Sequence, residues 1–376
     1  MNRFSILIIF CILISSGPTK ALDTIAKQAI IFDVESKTII FEKNADELMS
    51  PSSMSKLLTV YYVFKQLKLG NISLKDTFPV SKKAWKKGGS RMFLNLGSDV
   101  SIEDLLRGII VQSGNDACIT IAEGFSGSEE NFAVELNNLA RDLGLTNSSI
   151  TNSTGWPDPD HLTTSRDLLT LSLRTIQDFP EYYKLYAERE FTYNKIRQIN
   201  RNPLLFSDSF SDGLKTGHTS LGGYGLAASS IRKNRRIILV INGLNTNSAR
   251  RKESKRLMDA AFLQFKNVLV YSNEKNDYLN VWNGKKTNLK IKSNDNLIIT
   301  VPNTIIKDLK FFLRHKYPLT APILEGTEIA EILVKKNNTV LKKFPLYAAE
   351  NVDSMNFFKK IIFKFKYLIF GESIFR

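Results

Sequence analysis

Near residue 268 the chain changes texture, and no other feature limits its fold as much. Beyond that point five short β-prone runs, at 268–271, 278–282, 289–291, 297–301 and 329–334, alternate with turns rich in Asn, Lys and Gly. That rhythm is the mark of a small all-β unit, expected to end near residue 349. Before it the order differs. Residues 28–33 and 38–41 flank the polar turn Glu35-Ser36-Lys37 and read as a hairpin. After Pro51, the residues Leu57, Val60, Phe64 and Leu67 mark a buried helical face that ends at Gly70. Helical patterns follow at 101–124, 129–143 and 165–178, and three β-rich segments, 213–219, 224–230 and 236–242, precede a further helix at 249–265. Hairpin, helices, strands and a closing helix describe one α+β domain whose terminal segments complete a sheet.

The two ends carry addresses. Met1-Asn2-Arg3 precedes an apolar run from Phe4 to Ile14 and a small-residue exit at Ser15-Ser16-Gly17. This is a secretory signal pattern, with cleavage expected near Ala21. The run is too short to span a bilayer, which takes about 20 apolar residues. At the other end, Phe358, Ile361, Ile362, Phe365, Leu368 and Ile369 share one helical face, while Lys359, Lys360, Lys364 and Lys366 project from others. Asp353 or Ser354 is expected to cap that helix. A basic amphipathic helix with bulky aromatics lies in a membrane interface, and its four lysines argue against a transmembrane span. The expected organisation is a signal at 1–21, an α+β domain at 22–267, a small β domain at 268–349 and a membrane-surface helix at 350–376. Such a protein is exported and held peripherally on the outer face of the cytoplasmic membrane.

Charge and composition narrow the chemistry. The chain has 52 Lys and Arg against 37 Asp and Glu, a net +15, and loss of the signal leaves 50 against 37, or +13. Such a balance suits an anionic partner: nucleic acid, an anionic membrane or an anionic polymer. Two cysteines make no disulfide framework, and three histidines argue against a His-ligated metal centre, so no metal or cofactor is expected. Without the signal only Cys118 remains, in an apolar stretch that marks it as a core residue. Catalysis then rests on Ser, Lys, Asp, Glu or Asn.

Three motifs supply such groups. Ser53-Met54-Ser55-Lys56 opens the helix after Pro51, and a serine and lysine at i and i+3 share a face. A free lysine, with pKa about 10.4, is a poor base at neutral pH. Burial or a neighbouring cation favours its neutral form, which can take the serine proton. The helix N-terminus adds a positive field where an oxyanion would form. Val111-Gln112-Ser113-Gly114-Asn115 lies between helical segments, where a loop can present a hydroxyl and an amide. Asp212-Gly213-Leu214-Lys215-Thr216-Gly217-His218-Thr219 opens a strand. There Lys215 offers fixed charge and Thr216 a hydroxyl for an anionic group. Gly217 is expected to clear the strand edge for a substrate lying along it, as in β-strand addition.

In this order the motifs resemble the serine penicillin-binding enzymes, whose set is Ser-x-x-Lys, Ser-Asp-Asn and Lys-Thr-Gly. Gly114 stands where the wider set has Asp. That substitution, the Asp212 to Thr219 string, Asn200-Arg201-Asn202-Pro203-Leu204-Leu205, and Gly155 followed by His161-Leu162-Thr163-Thr164-Ser165-Arg166-Asp167 look like the low-molecular-mass D-alanyl-D-alanine carboxypeptidases. The likeness extends through the β domain, with Ala321-Pro322-Ile323 and Gly326, to the amphipathic tail. Ser52 and Ser55 stand where the family usually has Ala and Thr, and neither change removes a catalytic group. The resemblance implies a penicillin-binding/β-lactamase-like transpeptidase domain, with Ser53 as acylated nucleophile and Lys56 as its base. Ser113 would relay a proton to the leaving amine, with Lys215 setting the local field. Asn115 would bind the acyl-side backbone, and the N–H groups of Ser53 and His218 would form the oxyanion hole. Thr216 and Arg250 would grip the terminal carboxylate. The implied substrate is a peptidoglycan pentapeptide, which loses its terminal D-alanine, and β-lactams would acylate Ser53 by the same route.

Other readings stay open on the residues alone. His161 and His218 lie near motif residues, as a Ser-His-Asp hydrolase would need, although nothing marks His161 as a base. A D,D-endopeptidase or β-lactamase shares the acylation step. A non-catalytic peptidoglycan- or membrane-binding envelope protein would need no paired nucleophile and base. Nucleic acid is the poorest match, because no recognition motif appears.

Overall fold

The run Ile237-Ile238-Leu239-Val240-Ile241 is apolar without alternation, which suits a strand covered on both faces. In the computed structural model, which describes residues 22–375, it forms the middle of a five-stranded antiparallel sheet. The strands are β1 (Gln28–Asp33), β2 (Thr38–Lys43), β3 (Ser211–Thr219), β4 (Gly223–Arg232) and β5 (Arg235–Leu244), in spatial order β2-β1-β5-β4-β3. The N-terminal hairpin thus pairs with the last strand, Ile30 opposite Val240, so segments far apart in sequence close the sheet. Alternate residues then face opposite ways. Ile30, Ala227, Ile238 and Val240 join a large core beneath the helices, whereas Ala29, Ile31, Leu239 and Ile241 pack with Leu257, Met258 and Ala261 on the other side.

The helices on the first side are α1 (Lys56–Lys68), α2 (Lys82–Lys86), α3 (Ile102–Arg107), α4 (Asn115–Ser126), α5 (Glu129–Asp142) and α6 (Ser165–Asp178). Helix α7 (Asn247–Gln264) covers the other face. The helical pattern at 101–124 is not one helix. It runs through α3, then a π-helical turn at Gly108–Gln112, and breaks at Ser113, whose φ is 65°. Only after Gly114 does α4 begin, so the chain direction resets where Ser113 must be displayed.

The β unit holds a six-stranded sheet in the order β10-β12-β13-β8-β7-β11, beside a pair formed by β6 and β9. Its strands are β6 (Phe265–Tyr271), β7 (Asp277–Trp282), β8 (Asn288–Lys292), β9 (Leu297–Pro302), β10 (Leu309–His315), β11 (Leu319–Thr320), β12 (Glu328–Lys336) and β13 (Thr339–Ala348). Bridges Ile323↔Val352 and Gly284↔Ser354 keep residues 350–354 with this unit. Strand pairing in the β unit therefore continues past the expected end at 349 to residue 354. Helix α8 (Phe357–Phe370) starts later than expected and is capped by Asn356, whose side chain accepts from Lys359 N at 2.9 Å. Asp353 and Ser354 cannot cap it, because their backbone is held by Lys285 and Gly284.

Helix α8 docks by its minor face. Phe363 is buried, and Trp282 lies against Phe363, Tyr367 and Phe375 with ring centroids 5.8, 4.3 and 6.1 Å away. The broad apolar face stays in solvent: Phe358, Ile362, Phe365, Leu368 and Ile369 are all exposed, Leu368 at 82%. Packing on the protein's own core therefore does not account for that face. Among the described residues, no helix is long and apolar enough to cross a membrane. The expected signal, residues 1–21, lies outside the described residues.

Candidate active site

Pro51 is followed by a single 3₁₀ turn, Ser52–Ser55, before α1 begins at Lys56. In a 3₁₀ turn residues i and i+3 eclipse each other, closer than on an α-helix. Lys56 Nζ accordingly lies 2.8 Å from Ser53 Oγ. The amine also donates to Asn115 Oδ1 at 2.8 Å and to the Thr154 carbonyl. Lys56 is wholly enclosed, and burial brings its pKa down to about 8. A neutral amine has two N–H donors and one lone pair. With Asn115 Oδ1 and Thr154 O taking the donors, the lone pair is left for the serine hydroxyl.

Strand β3 runs past this turn at very close range. A Cβ added at Gly217 would lie 2.8 Å from Pro51 O and 3.1 Å from Met54 Cγ and Ser52 Cβ. Gly217 thus admits the turn that carries Ser53, and its absent side chain would not point at the substrate edge as expected. The outer edge of β3 is free, since it ends the sheet. Lys215 is buried, and its Nζ donates to Thr216 O at 3.2 Å. Burial first, then Lys56 and Arg201, push its amine well below the usual range.

A cavity of about 930 Å³ opens above these groups. Ser53, Ser113, Thr216, Gly217, His218 and Arg250 line it, while Lys56, Asn115 and Lys215 lie outside its lining. Ser113 Oγ is buried with no hydrogen-bond partner among the described residues. Arg250 is buried too. Its Nη2 donates to Asn247 Oδ1 at 2.7 Å, Nη1 reaches Gly217 O and Gly225 O at 3.4 Å, and Nε has no partner among the described residues. A desolvated guanidinium with spare donors, its pKa lowered to about 10 by burial, is a receptor for a carboxylate. Arg251 also lines the cavity, so both arginines of the pair are near, but only Arg250 is enclosed.

Some participants left little trace in the sequence. Thr154 acts through its carbonyl, which no side chain announces. Asn115 is bonded at both ends of its amide, to Lys56 and, through Nδ2, to Gly88 O at 2.9 Å. Asn247 could have been found, one helical turn before Arg250. The histidine rival finds no support. His161 is buried, its Nδ1 accepts from Thr151 N at 3.1 Å, and burial holds its pKa down to about 4. No Asp or Glu stands among the described residues that line the cavity to orient His218. Cys118 is fully buried in the core, as expected, its thiol pushed up to about 12.

Fold and site define a serine acyl-transfer hydrolase of the penicillin-binding class. The profile of the D-alanyl-D-alanine carboxypeptidase family, Peptidase_S11, matches residues 16–246, and that of the penicillin-binding protein 5 C-terminal domain matches residues 265–354. The chain belongs to the D-alanyl-D-alanine carboxypeptidase family, a family of serine hydrolases. The D-alanyl-D-alanine carboxypeptidase DacC of Escherichia coli K12 is 37% identical over 89% of this chain and 86% of its own length. DacF of Bacillus subtilis, also a D-alanyl-D-alanine carboxypeptidase, is 32% identical over 88% and 87%. The crystal structure of penicillin binding protein 5 from Haemophilus influenzae matches with a TM-score of 0.81 at 34% identity, covering 89% of this chain and 99% of that one. Penicillin-binding protein D2 from Listeria monocytogenes, solved with bound cefotaxime, matches 64% of this chain and 98% of its own, with 27% identity and a TM-score of 0.59.

Proposed function

We propose that this enzyme removes the terminal D-alanine from peptidoglycan pentapeptides through an acyl-enzyme on Ser53. The observation that carries the reading is the enclosed Lys56 amine, 2.8 Å from Ser53 Oγ and tied to two fixed acceptors. The substrate lies along the free edge of β3, its acyl-side backbone held by Asn115 and its carboxylate by Thr216 and Arg250. Neutral Lys56 takes the Ser53 proton as Oγ bonds to the penultimate carbonyl carbon. Backbone N–H groups of Ser53 and His218 hold the oxyanion, and losing one such donor costs about 3–4 kcal/mol in acyl transfer. Ser113 passes a proton to the leaving nitrogen, the C–N bond breaks, and free D-alanine departs. Water then hydrolyses the ester and restores Ser53.

A strained lactam presents the same carbonyl beside a carboxylate, so β-lactams acylate Ser53 as well, in keeping with the cefotaxime complex of the Listeria relative. The work takes place outside the cytoplasm, where peptidoglycan is, with the exposed apolar face of α8 resting in the membrane interface. D-alanine release from a D-Ala-D-Ala peptide tests the reaction. Release by the intact enzyme, lost in Ser53→Ala, is expected; release that survives the substitution contradicts it.

A further inference from the structure

The cleft carries on one flank a feature that hydrolysis leaves unused. Residues 77–98 contain five basic residues, Lys82, Lys83, Lys86, Lys87 and Arg91, and no acid. Lys83 pairs with Glu129 and Glu130, but among the described residues the other four meet no acid. Large aromatic rings stand exposed among them: Trp85 at 41% and, from a neighbouring loop, Trp156 at 43%. The Lys87 ammonium lies 4.5 Å above the Trp156 ring, whose edge is so near that a Cβ added at Gly89 would lie 3.1 Å from it. Nothing in the core requires two exposed indoles here.

This ledge is bolted to the catalytic machinery. Asn115 N donates to Ser90 O at 2.7 Å and Asn115 Nδ2 to Gly88 O at 2.9 Å. The next residue, Asp116, accepts from the backbone N–H groups of Met92, Phe93 and Leu94 at 2.9, 3.0 and 3.3 Å. Position follows from the functional reading above, on which this inference rests. On that reading Thr216 and Arg250 hold the end of the peptide that leaves, and Ser90, which lines the cavity beside Asn115, marks where the rest of the stem meets the ledge. A peptidoglycan strand brings free carboxylates on its stem peptides and apolar C–H faces on its sugar rings. Unpaired lysines and flat, exposed indoles complement both.

We propose that the ledge formed by residues 82–91 together with Trp156 binds the anionic glycan–peptide strand, so that the enzyme favours polymer-borne pentapeptides over free ones. The test compares kcat/KM for D-alanine release from a short N-acetylated peptide ending in D-Ala-D-Ala and from isolated pentapeptide-bearing peptidoglycan. The full mature chain is used at about 0.1 M and about 1 M salt, where the screening length falls from about 10 to about 3 Å. Trp156→Ala and the double variant Lys82→Gln/Lys86→Gln are expected to lose about tenfold on the polymer, an affinity change of about 1.4 kcal/mol. Both should stay within about twofold of the parent on the short peptide, and high salt should erase most of the parent's preference for polymer. The double variant alters only exposed side chains, so it decides the matter even if Trp156→Ala misfolds. Equal losses on both substrates by the double variant, or an unchanged polymer reaction, would overturn the proposal. A parent enzyme that releases D-alanine from neither substrate would instead refute the carboxypeptidase reading.

Discussion

Lys56 Nζ and Ser53 Oγ stand 2.8 Å apart because a single 3₁₀ turn joins them, and the lysine is buried deeply enough to lose its proton near neutrality. With a pKa of about 8, about a tenth of the amine is neutral at pH 7. In the proposed mechanism the neutral form is the base. Acylation, followed as kcat/KM with a slowly hydrolysed β-lactam, should therefore rise about tenfold per pH unit below 8 and level off above it. Lys56→Arg keeps a charge that does not dissociate in this range, and should lower acylation by about 10²–10⁴-fold at every pH.

Gly155 guards the acceptor that orients this amine. Its φ is +74°, and an added Cβ would meet Ser52 O at 2.0 Å. Gly155→Ala must shift the Thr154 carbonyl or the Ser52–Ser55 turn. A loss of roughly 3 kcal/mol in stability is expected from strain and overlap, read by thermal or denaturant unfolding. Penicillin labelling should fall with it.

Arg250 and Arg251 separate grip from proximity. On the proposed reading, removing Arg250 deletes a charge-assisted bond to the terminal carboxylate, worth about 1.5–3 kcal/mol. Arg250→Ala should reduce kcat/KM by roughly 10–100-fold for a peptide with a free carboxylate, and far less for its C-terminal amide. Arg251→Ala should change either by less than about threefold. Equal effects from the two variants would contradict the assignment.

Helix α8 turns its broad apolar face away from the protein, so that face is free to enter lipid. Replacing Phe365 and Leu368 by Ser removes about 1.5–3 kcal/mol of burial for each side chain. Co-sedimentation with anionic vesicles should drop by roughly tenfold or more, while D-alanine release from a short peptide is retained. Binding that persists undiminished would show that α8 does not anchor the protein.

Side-chain chemistry made much of this site legible in the sequence. Ser53, Lys56, Ser113 and Lys215 stand out because three short motifs follow one another in a set order, each weak by itself, and Arg250 enters only through the resemblance they carry; the fold then brings Ser53, Ser113 and Arg250 to one cavity. Thr154 stayed hidden, since its part is played by a carbonyl that every residue owns. Gly217 was noticed for the wrong reason: sequence shows that a side chain is absent, but not which neighbour required its absence. Strands β10 and β13 escaped because Phe311, Phe312 and Leu313 lie exposed on an edge, and because Lys342, Lys343 and Pro345 interrupt the alternation that marks a strand. The late start of α8 was equally unreadable, because bridges from Val352 and Ser354 to distant residues decide it.

The central claim is that Ser53 is the group acylated, and covalent labelling by a fluorescent penicillin tests it most directly. The parent chain should carry one label per molecule, and Ser53→Ala, folded to the same melting temperature, should carry none. Labelling of Ser53→Ala at the parent's level would move the nucleophile elsewhere and contradict the account.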